Sequence, residues 1–301
     1  MRITVIPDLI GTPYWDVNAK GAQDAGKEFG AKVNIAGPTA VSPSAQVPFT
    51  NTAVQQGVNA ILVGINDPNA QANSLDQARA AGTKVVTYDS DAPGHRDLFV
   101  NPASVKAIGG GLIDVIAKQI GESGQIAFLS GAPTQPTQNQ WLAAMHNAVK
   151  TKYPNIQVVT TIYANGDNQT ATTNVAALLT KYPDLKGIVA PDSLGFPAAA
   201  KYVEANGFKG KVAVTGLALP SVMKAYIDDG TVQAGALWND PDLGYLGAYA
   251  AKALVDGTIS GKKGDTFTAG KLGKFTVLDG GEVDLGPLLV YDKSNIDKYD
   301  F

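Results

Sequence analysis

The chain has 301 residues, 45% hydrophobic and 17% charged, with a net charge of −3 and no cysteine. That is enough apolar material for about two domain cores, and it excludes disulfides, zinc–thiolate sites and thiol catalysis. No lysine or arginine block stands out, which argues against nucleic acid and anionic membrane as partners, and no run approaches the roughly eighteen apolar residues of a spanning helix.

Met1-Arg2 leads directly into "ITVIP" (3–7), the first predicted strand. This start is expected of a mature or trimmed chain whose signal peptide has been removed. Further β-branched runs follow at "AILVGI" (60–65), "KVVTYD" (84–89), "QIAFLS" (125–130), "VVTTIY" (158–163), "GIVAPD" (187–192), "VAVTGL" (212–217) and "GALWN" (235–239). Helix-length segments lie between them, and most stop at a glycine or at Tyr-Pro, as left-handed caps and helix breakers require. Apolar runs without alternation read as strands covered on both faces, so the fold class is α/β with parallel sheets. Residues 56–91 and 183–220 repeat one order: strand, Asp-bearing turn, Ala-rich helix, Gly cap, strand. Two Rossmann-like halves are therefore expected, one from 1–102 plus 239–286 and the other from 103–238 plus 287–301. The chain would cross near Asn101–Ala103, near Trp238-Asn239 and near Gly286–Val290. Past Gly257 the pattern predicts turns and short antiparallel strands.

Ligands of open parallel sheets bind beyond the carboxyl ends of the strands. The residues there are Asp8, Tyr14 and Trp15 after the first run, Asn66 and Asp67 after the second, and Asp89, Ser90 and Asp91 after the third. Gln138, Asn139, Asp192, Ser193, Trp238 and Asn239 belong to later strand ends. Carboxylates accept hydrogen bonds, amides donate and accept, and aromatic faces cover C–H faces. The set suits a neutral polyhydroxylated molecule and would repel a phosphate. A strand-end Asp is also an ordinary cap or turn former. Asp67, before Pro68, reads as a cap and Asp91 as turn chemistry, whereas Asp89 directly follows "VVTY". Trp15 fits either a core stripe with Ala22 and Phe29 or a cleft, and Trp238 is similarly divided between core and site. His95 in a polar turn and His146 inside a helix read as structural. "GTISGKKG" lacks phosphate-loop spacing, "GGG" (109–111) suggests close helix packing, and no EF-hand spacing occurs. Neither metal nor cofactor is expected. From residue types alone, an all-carboxylate glycosidase stays open as an alternative.

The stretches "PYWDVNAKGAQDAGKEFG", "QGVNAILVGINDPNA", "GTKVVTYDSDAPG", "TQNQW", "IVAPDSLGFPAAAK", "VTGLALPSVM", "LWNDPDLGY" and "VYDKSNIDKYDF" resemble, in order and over the full length, type I periplasmic sugar receptors of ABC transporters. The resemblance is strongest to the rhamnose-binding and autoinducer-2-binding (LsrB-like) group. It implies two domains joined by a multi-crossing hinge, ligand capture in an interdomain cleft, hinge closure, and a membrane permease as partner. It further implies a monomer without enzymatic activity, located in the periplasm, or lipid-anchored outside a Gram-positive cell. Tyr14 and Trp15 would lie against a sugar ring and Asp89 would bind hydroxyls. Asp89, Gln138 and Pro191 match the autoinducer-2 contacts, but Asp8, Thr137 and Ser193 stand where those receptors carry Lys, Asp and Ala. The expected ligand is accordingly a monosaccharide, a rhamnose-type deoxysugar or a polyol, with autoinducer-2 as the alternative. A sugar-responsive transcriptional regulator shares the fold but needs an N-terminal helix-turn-helix.

Overall fold

The computed structural model describes residues 1–301. In chain order the elements are β1 (Arg2–Ile6), α1 (Pro13–Glu28), β2 (Lys32–Ile35), α2 (Val47–Gln55), β3 (Ala60–Val63), α3 (Pro68–Ala80), β4 (Lys84–Tyr88) and β5 (Leu98–Asn101). Next come α4 (Val105–Ile120), β6 (Gly124–Ser130), α5 (Pro136–Lys152), β7 (Ile156–Tyr163), α6 (Asn168–Lys181), β8 (Leu185–Ala190), α7 (Gly195–Ala205), β9 (Ala213–Gly216), α8 (Pro220–Asp228) and β10 (Ala234–Leu237). The chain ends with α9 (Asp240–Val255), β11 (Thr266–Thr268), β12 (Lys274–Thr276), β13 (Glu282–Asp284) and β14 (Leu289–Asp292). The fold is α/β in two compact units. Unit 1 comprises Met1–Ala103, Thr134–Thr137 and Asn239–Gly286; unit 2 comprises Ser104–Pro133, Gln138–Trp238 and Pro287–Phe301.

Unit 1 is built on a sheet of order β13-β5-β4-β3-β1-β2, parallel throughout. Successive residues of β3 serve opposite faces. Ile61 and Val63 join the core under α2 and α3 with Ala53, Leu75 and Ala78. Leu62 meets the other side, where a Cβ on Gly247 of α9 would lie 2.8 Å from it. Helix α9 packs on α1 with almost no spacer: a Cβ on Gly21 would lie 1.9 Å from the Pro241 carbonyl oxygen, and one on Gly244 1.9 Å from that of Asn18. Helix α3 starts where expected, because Asp67 accepts from the Asn69 and Ala70 amides at 2.9 and 3.1 Å. The cap reading of Asp67 is what the structure shows.

Unit 2 repeats the plan with a parallel sheet of order β7-β6-β8-β9 and an antiparallel β10–β14 pair. A bridge between Leu217 and Ala236 links β9 to β10. Helix α4 is capped by Ser104 and closed by Gly121 in the left-handed region (φ 71°). Tyr291 of β14 is fully buried and donates to the Ala218 carbonyl at 2.8 Å.

The paired strands stop short of several predicted runs. Ile65, Asp89, Asp192 and Leu217 lie just past the last laddered residue, in the strand-end turns. Two elements escape the pattern. Strand β2 is a largely exposed edge, and α2 is a short Pro- and Thr-containing helix with two buried residues. The last segment contains the expected antiparallel pairs, but β13 is an exception. It runs parallel to β5 and extends the main sheet of unit 1, and the Leu285 amide continues the ladder to the Asn101 carbonyl at 2.8 Å.

The "GGG" run tests close packing residue by residue. A Cβ on Gly109 would lie 2.5 Å from that of Ala144 on α5, whereas one on Gly110 meets nothing within 4 Å. Gly109→Ala should therefore destabilise by about 1–3 kcal/mol through overpacking. Gly110→Ala should stabilise by roughly 0.5–1 kcal/mol through helix propensity. Urea unfolding of the two variants beside wild type checks both signs.

Candidate functional site

In both sheets the strand order reverses beside the first strand, between β1 and β3 in unit 1 and between β6 and β8 in unit 2. Diverging loops leave a crevice at the carboxyl ends there. Asp8 and Asn66 leave β1 and β3, and Asp192 leaves β8, while Gln138 follows β6 at the start of α5.

In unit 1 the two strand ends are tied by an amide that the sequence did not advertise. Fully buried Gln46 donates to the Pro7 carbonyl (3.1 Å) and to that of Gly64, and accepts from the Asn66 amide (3.0 Å). Asn66 then donates to the Asp8 carbonyl at 3.2 Å. The Asp8 carboxylate accepts from Gln135 at 3.0 Å. Trp15 wedges edge-on between Tyr14 and Tyr88, with centroids 5.0 and 5.6 Å away. It rests over Gly64, where a Cβ would lie 2.6 Å from its ring. Trp15 is thus a buried packing residue as well as a neighbour of the strand ends.

Asp89 occupies the left-handed region at φ 63°, which Asp tolerates better than most residues. The turn is held because the Asp89 amide donates to the Val100 carbonyl (3.2 Å) and the Ser90 amide to that of Tyr88 (2.6 Å). Tyr14 donates its hydroxyl to Asp89 Oδ1. Desolvation pushes the carboxyl up to about 7, and the Tyr14 hydrogen bond only partly opposes it.

Asp91 is more than turn chemistry. It receives the Arg96 guanidinium at both oxygens, 2.8 Å each, the Thr87 hydroxyl at 2.6 Å and the Ala92 amide at 2.8 Å. Arg96 also donates to the Gly280 and Gly281 carbonyls at 2.7 and 3.1 Å, so this ion pair fastens the "DSDAPGHR" loop to the turn Asp279–Gly281 just before β13. The Asp91 amide and Ser90 hydroxyl lie 3.3 and 3.2 Å from the Thr137 hydroxyl. Asp240, fully buried at the start of α9, accepts from Asn18 at 3.2 Å. Thr137 enters the sequence reading only as a departure from the autoinducer-2 receptors, and Gln46, Arg96, Gln135 and Asp240 are not read there as site members. Only Asp240 had a visible signal, an acid directly after "WN" and before a proline.

In unit 2, Gln138 accepts from the Ser130 hydroxyl and the Gly131 amide, both at 2.7 Å. Asp192 accepts from the Gly195 amide at 2.6 Å and so caps α7. Burial raises its carboxyl, while hydrogen bonds from Gly195, Gln138 and Leu194 pull it down. Gln138 thus hydrogen-bonds to Asp192, which directly follows buried Pro191. Trp238 packs at 5.9 Å from Trp141, the last residue of "TQNQW". His146 lies edge-on to Phe128 at 4.9 Å, a packing role.

Two expected site residues are not gathered with the rest. Asn139 is exposed, and its amide turns back to the Pro133 carbonyl at 2.9 Å. Asn239, in unit 1, receives the Asp242 and Leu243 amides on its backbone carbonyl at 3.1 and 3.2 Å, while its side chain makes no cap bond.

Residues 3–259 match the model of the periplasmic binding protein domain. The chain belongs to the periplasmic binding protein family. Among solved structures, a sugar ABC transporter from Actinomyces odontolyticus is 40% identical, over 100% of this chain and 98% of that one, with a TM-score of 0.80. An ABC transporter solute-binding protein from Clostridium phytofermentas with bound L-rhamnose is 32% identical over 99% and 97%, with a TM-score of 0.95. LsrB from Clostridium saccharobutylicum in complex with AI-2 is 28% identical over 100% of both chains, also at 0.95. This periplasmic binding protein has the type I architecture of those sugar receptors, and it is a solute-binding protein of the sugar ABC transporter family, not an enzyme.

Two predictions arise from the carboxylates of unit 1. The raised Asp89 makes the native state hold a proton that the unfolded chain has lost, from about pH 4 to about pH 7. Its stabilising contribution is complete below the unfolded value and disappears as pH rises through the folded one. The stability difference between Asp89→Asn and wild type, measured by urea unfolding without ligand, should therefore move in favour of the variant from pH 4.5 to 7.5. A pH-independent difference would contradict this. Arg96→Gln removes the partner of a carboxylate whose side chain is only 12% exposed, and should cost about 3–5 kcal/mol. The same unfolding measurement at pH 7 reads it.

Proposed function

We propose that the protein captures a neutral monosaccharide, a rhamnose-type deoxysugar or a polyol, reversibly and without chemistry. Strand-end residues of both units contribute contacts, and hinge closure presents the loaded form to a membrane permease. The protein acts as a monomer in the periplasm, or outside the cell on a lipid anchor. The observation that carries the reading is Asp89. Its carboxylate sits on a sheet-anchored, left-handed turn, and one oxygen is taken by Tyr14. A sugar hydroxyl donating to the second oxygen stabilises the ionised form that burial opposes. Asp8, Asn66, Gln138 and Asp192 supply further acceptors and amide donors at neighbouring strand ends, and no base–nucleophile pair accompanies them.

The alternative, AI-2, is favoured by the similarity to LsrB and by Gln138, whose amide is held in place by Ser130 and Gly131. Against it stand Asp8, which puts a negative charge where those receptors are positive, together with Thr137 and Ser193.

Calorimetry with L-rhamnose, D-ribose, D-arabinose, a set of polyols and AI-2 tests the reading. A sugar or polyol should bind more tightly than AI-2, and the opposite order would overturn the assignment. For the ligand found, Asp89→Ala should cost about 2–4 kcal/mol, roughly 30- to 1,000-fold in affinity, by leaving ligand hydroxyls without acceptors. Asp67→Ala, a lost cap, should cost about 1 kcal/mol of folding stability and leave affinity nearly unchanged. Loss of binding in Asp67→Ala but not in Asp89→Ala would place the site elsewhere.

A further inference from the structure

One buried amide joins the turns that follow three neighbouring strands of unit 1. Gln46 is 0% exposed and stands at the N-cap of α2, but its side chain makes no cap bond there. It reaches the strand ends instead. Nε2 donates to the Pro7 carbonyl at 3.1 Å and to the Gly64 carbonyl, and Oε1 accepts from the Asn66 amide at 3.0 Å. Pro7 directly precedes Asp8, and Gly64 and Asn66 flank Ile65. The Ile65 amide donates in turn to the Ser90 carbonyl at 3.3 Å, one residue past Asp89. The turns that carry Asp8, Asn66 and Asp89 are therefore linked through a single side chain.

The same network decides which atom of Asn66 is presented. A carbonyl only accepts, so the Asp8 carbonyl holds Asn66 Nδ2 toward itself at 3.2 Å. Asn66 Oδ1 is thereby turned away, buried and without a partner. Buried polar atoms in native proteins are nearly always satisfied, and an unpaired acceptor at a strand end suits a hydroxyl from outside the chain. Helix α2 gives Gln46 a firm base. Ala53 lies in one core with Ile61, Ile65 and Leu75, and Phe49 and Val54 pack against it. The Gln46 carbonyl also accepts the Phe49 and Thr50 amides at 3.1 Å each, which ties its backbone into the first turn. Polar groups already in place lose less freedom on binding than groups a ligand must gather.

We propose that Gln46 is a positioning residue for ligand binding. Without touching the ligand, it presets the spacing of the Asp8, Asn66 and Asp89 turns and the orientation of Asn66. The inference rests on the sugar-binding reading above and adds to it a residue outside the ligand contacts.

The test compares Gln46→Asn, Gln46→Glu and Val54→Ala with wild type, by calorimetry with L-rhamnose, D-ribose, D-arabinose and the same polyols, and by urea unfolding. Asn keeps the amide but is one methylene short of spanning both strands. Glu spans them, yet its ionised form has no hydrogen for the two carbonyls and its protonated form has one. For a ligand that binds wild type, both Gln46 variants should bind about tenfold or more weakly at about pH 7.5. The Gln46→Glu deficit, taken as a ratio to wild type at the same pH, should narrow as pH falls to about 5 and the carboxyl takes up its proton. Val54→Ala trims the packing of α2 and leaves the amide in place, so it should lower the unfolding midpoint without changing affinity. Two substitutions of the amide guard against one that fails to fold. If the folded Gln46 variants bind like wild type, if Val54→Ala loses as much affinity as they do, or if the Gln46→Glu deficit ignores pH, the positioning role is refuted while sugar binding stands. If no sugar or polyol binds wild type, both readings fall.

Discussion

Taking a carboxylate out of water without a counter-charge is the constraint around which unit 1 is arranged. Asp91 meets it with a full bidentate arginine. Asp89, two residues earlier, has only a phenol, and desolvation pushes its carboxyl up to about 7. The contrast assigns different roles to two acids in one turn. The neutralised acid holds the loop, while the under-neutralised one, in the proposed reading, keeps an acceptor for the ligand. A folded protein tolerates that acid because the sheet fixes the backbone on both sides: β4 enters the turn and the Val100 carbonyl of β5 receives the Asp89 amide. The cost is drawn from the packed core beneath, in the pattern of functional strain supported elsewhere in a fold.

The Arg96–Asp91 pair also explains why β13 and the turn before it belong to unit 1. Strand β13 adds to the sheet beside β5, and Arg96 holds the Gly280 and Gly281 carbonyls just before it. Gly281 takes a positive φ of 71°, and a Cβ there would lie 3.0 Å from the arginine, so the close approach needs glycine. The same arginine thus closes the turn that presents Asp89 and anchors the last stretch of unit 1 before Gly286.

What the sequence disclosed depended on how local each feature is. Parallel strands were legible because both faces are covered, which writes continuous Val/Ile runs such as "AILV" and "KVVTY". Asp67 was legible as a cap because an N-cap is decided within three residues. Strand β2 was not, since an exposed edge has no apolar signature, and α2, with Pro48, Thr50 and Thr52 in its nine residues, buries only Thr50 and Ala53. Asp91 looked like a turn former because its partner needs the Gly280–Gly281 carbonyls, some 184 residues from Arg96, to make the fork worthwhile. Gln46 and Gln135 sit in loops where polarity is unremarkable, and only the folded strand ends turn their amides into cross-links. An acid in the first turn of a helix is ordinary, so Asp240 does not stand out by itself; the close α1–α9 packing made possible by Gly21 and Gly244 is what buries it against Asn18.

Tyr14 has more chemistry in the folded chain than its position in the sequence suggests. Its place at the start of α1 suggested an aromatic face for a sugar ring. In the folded chain its hydroxyl is spent on Asp89 Oδ1, and its ring is in edge contact with Trp15. The hydroxyl fixes the carboxylate's rotation, so the second oxygen is offered in one direction only. A freely rotating Asp could follow differently placed hydroxyls and would discriminate little among epimers. An Asp whose first oxygen is pinned by a buried phenol accepts from one narrow set of positions, and specificity then follows from a lost degree of freedom rather than from an added contact.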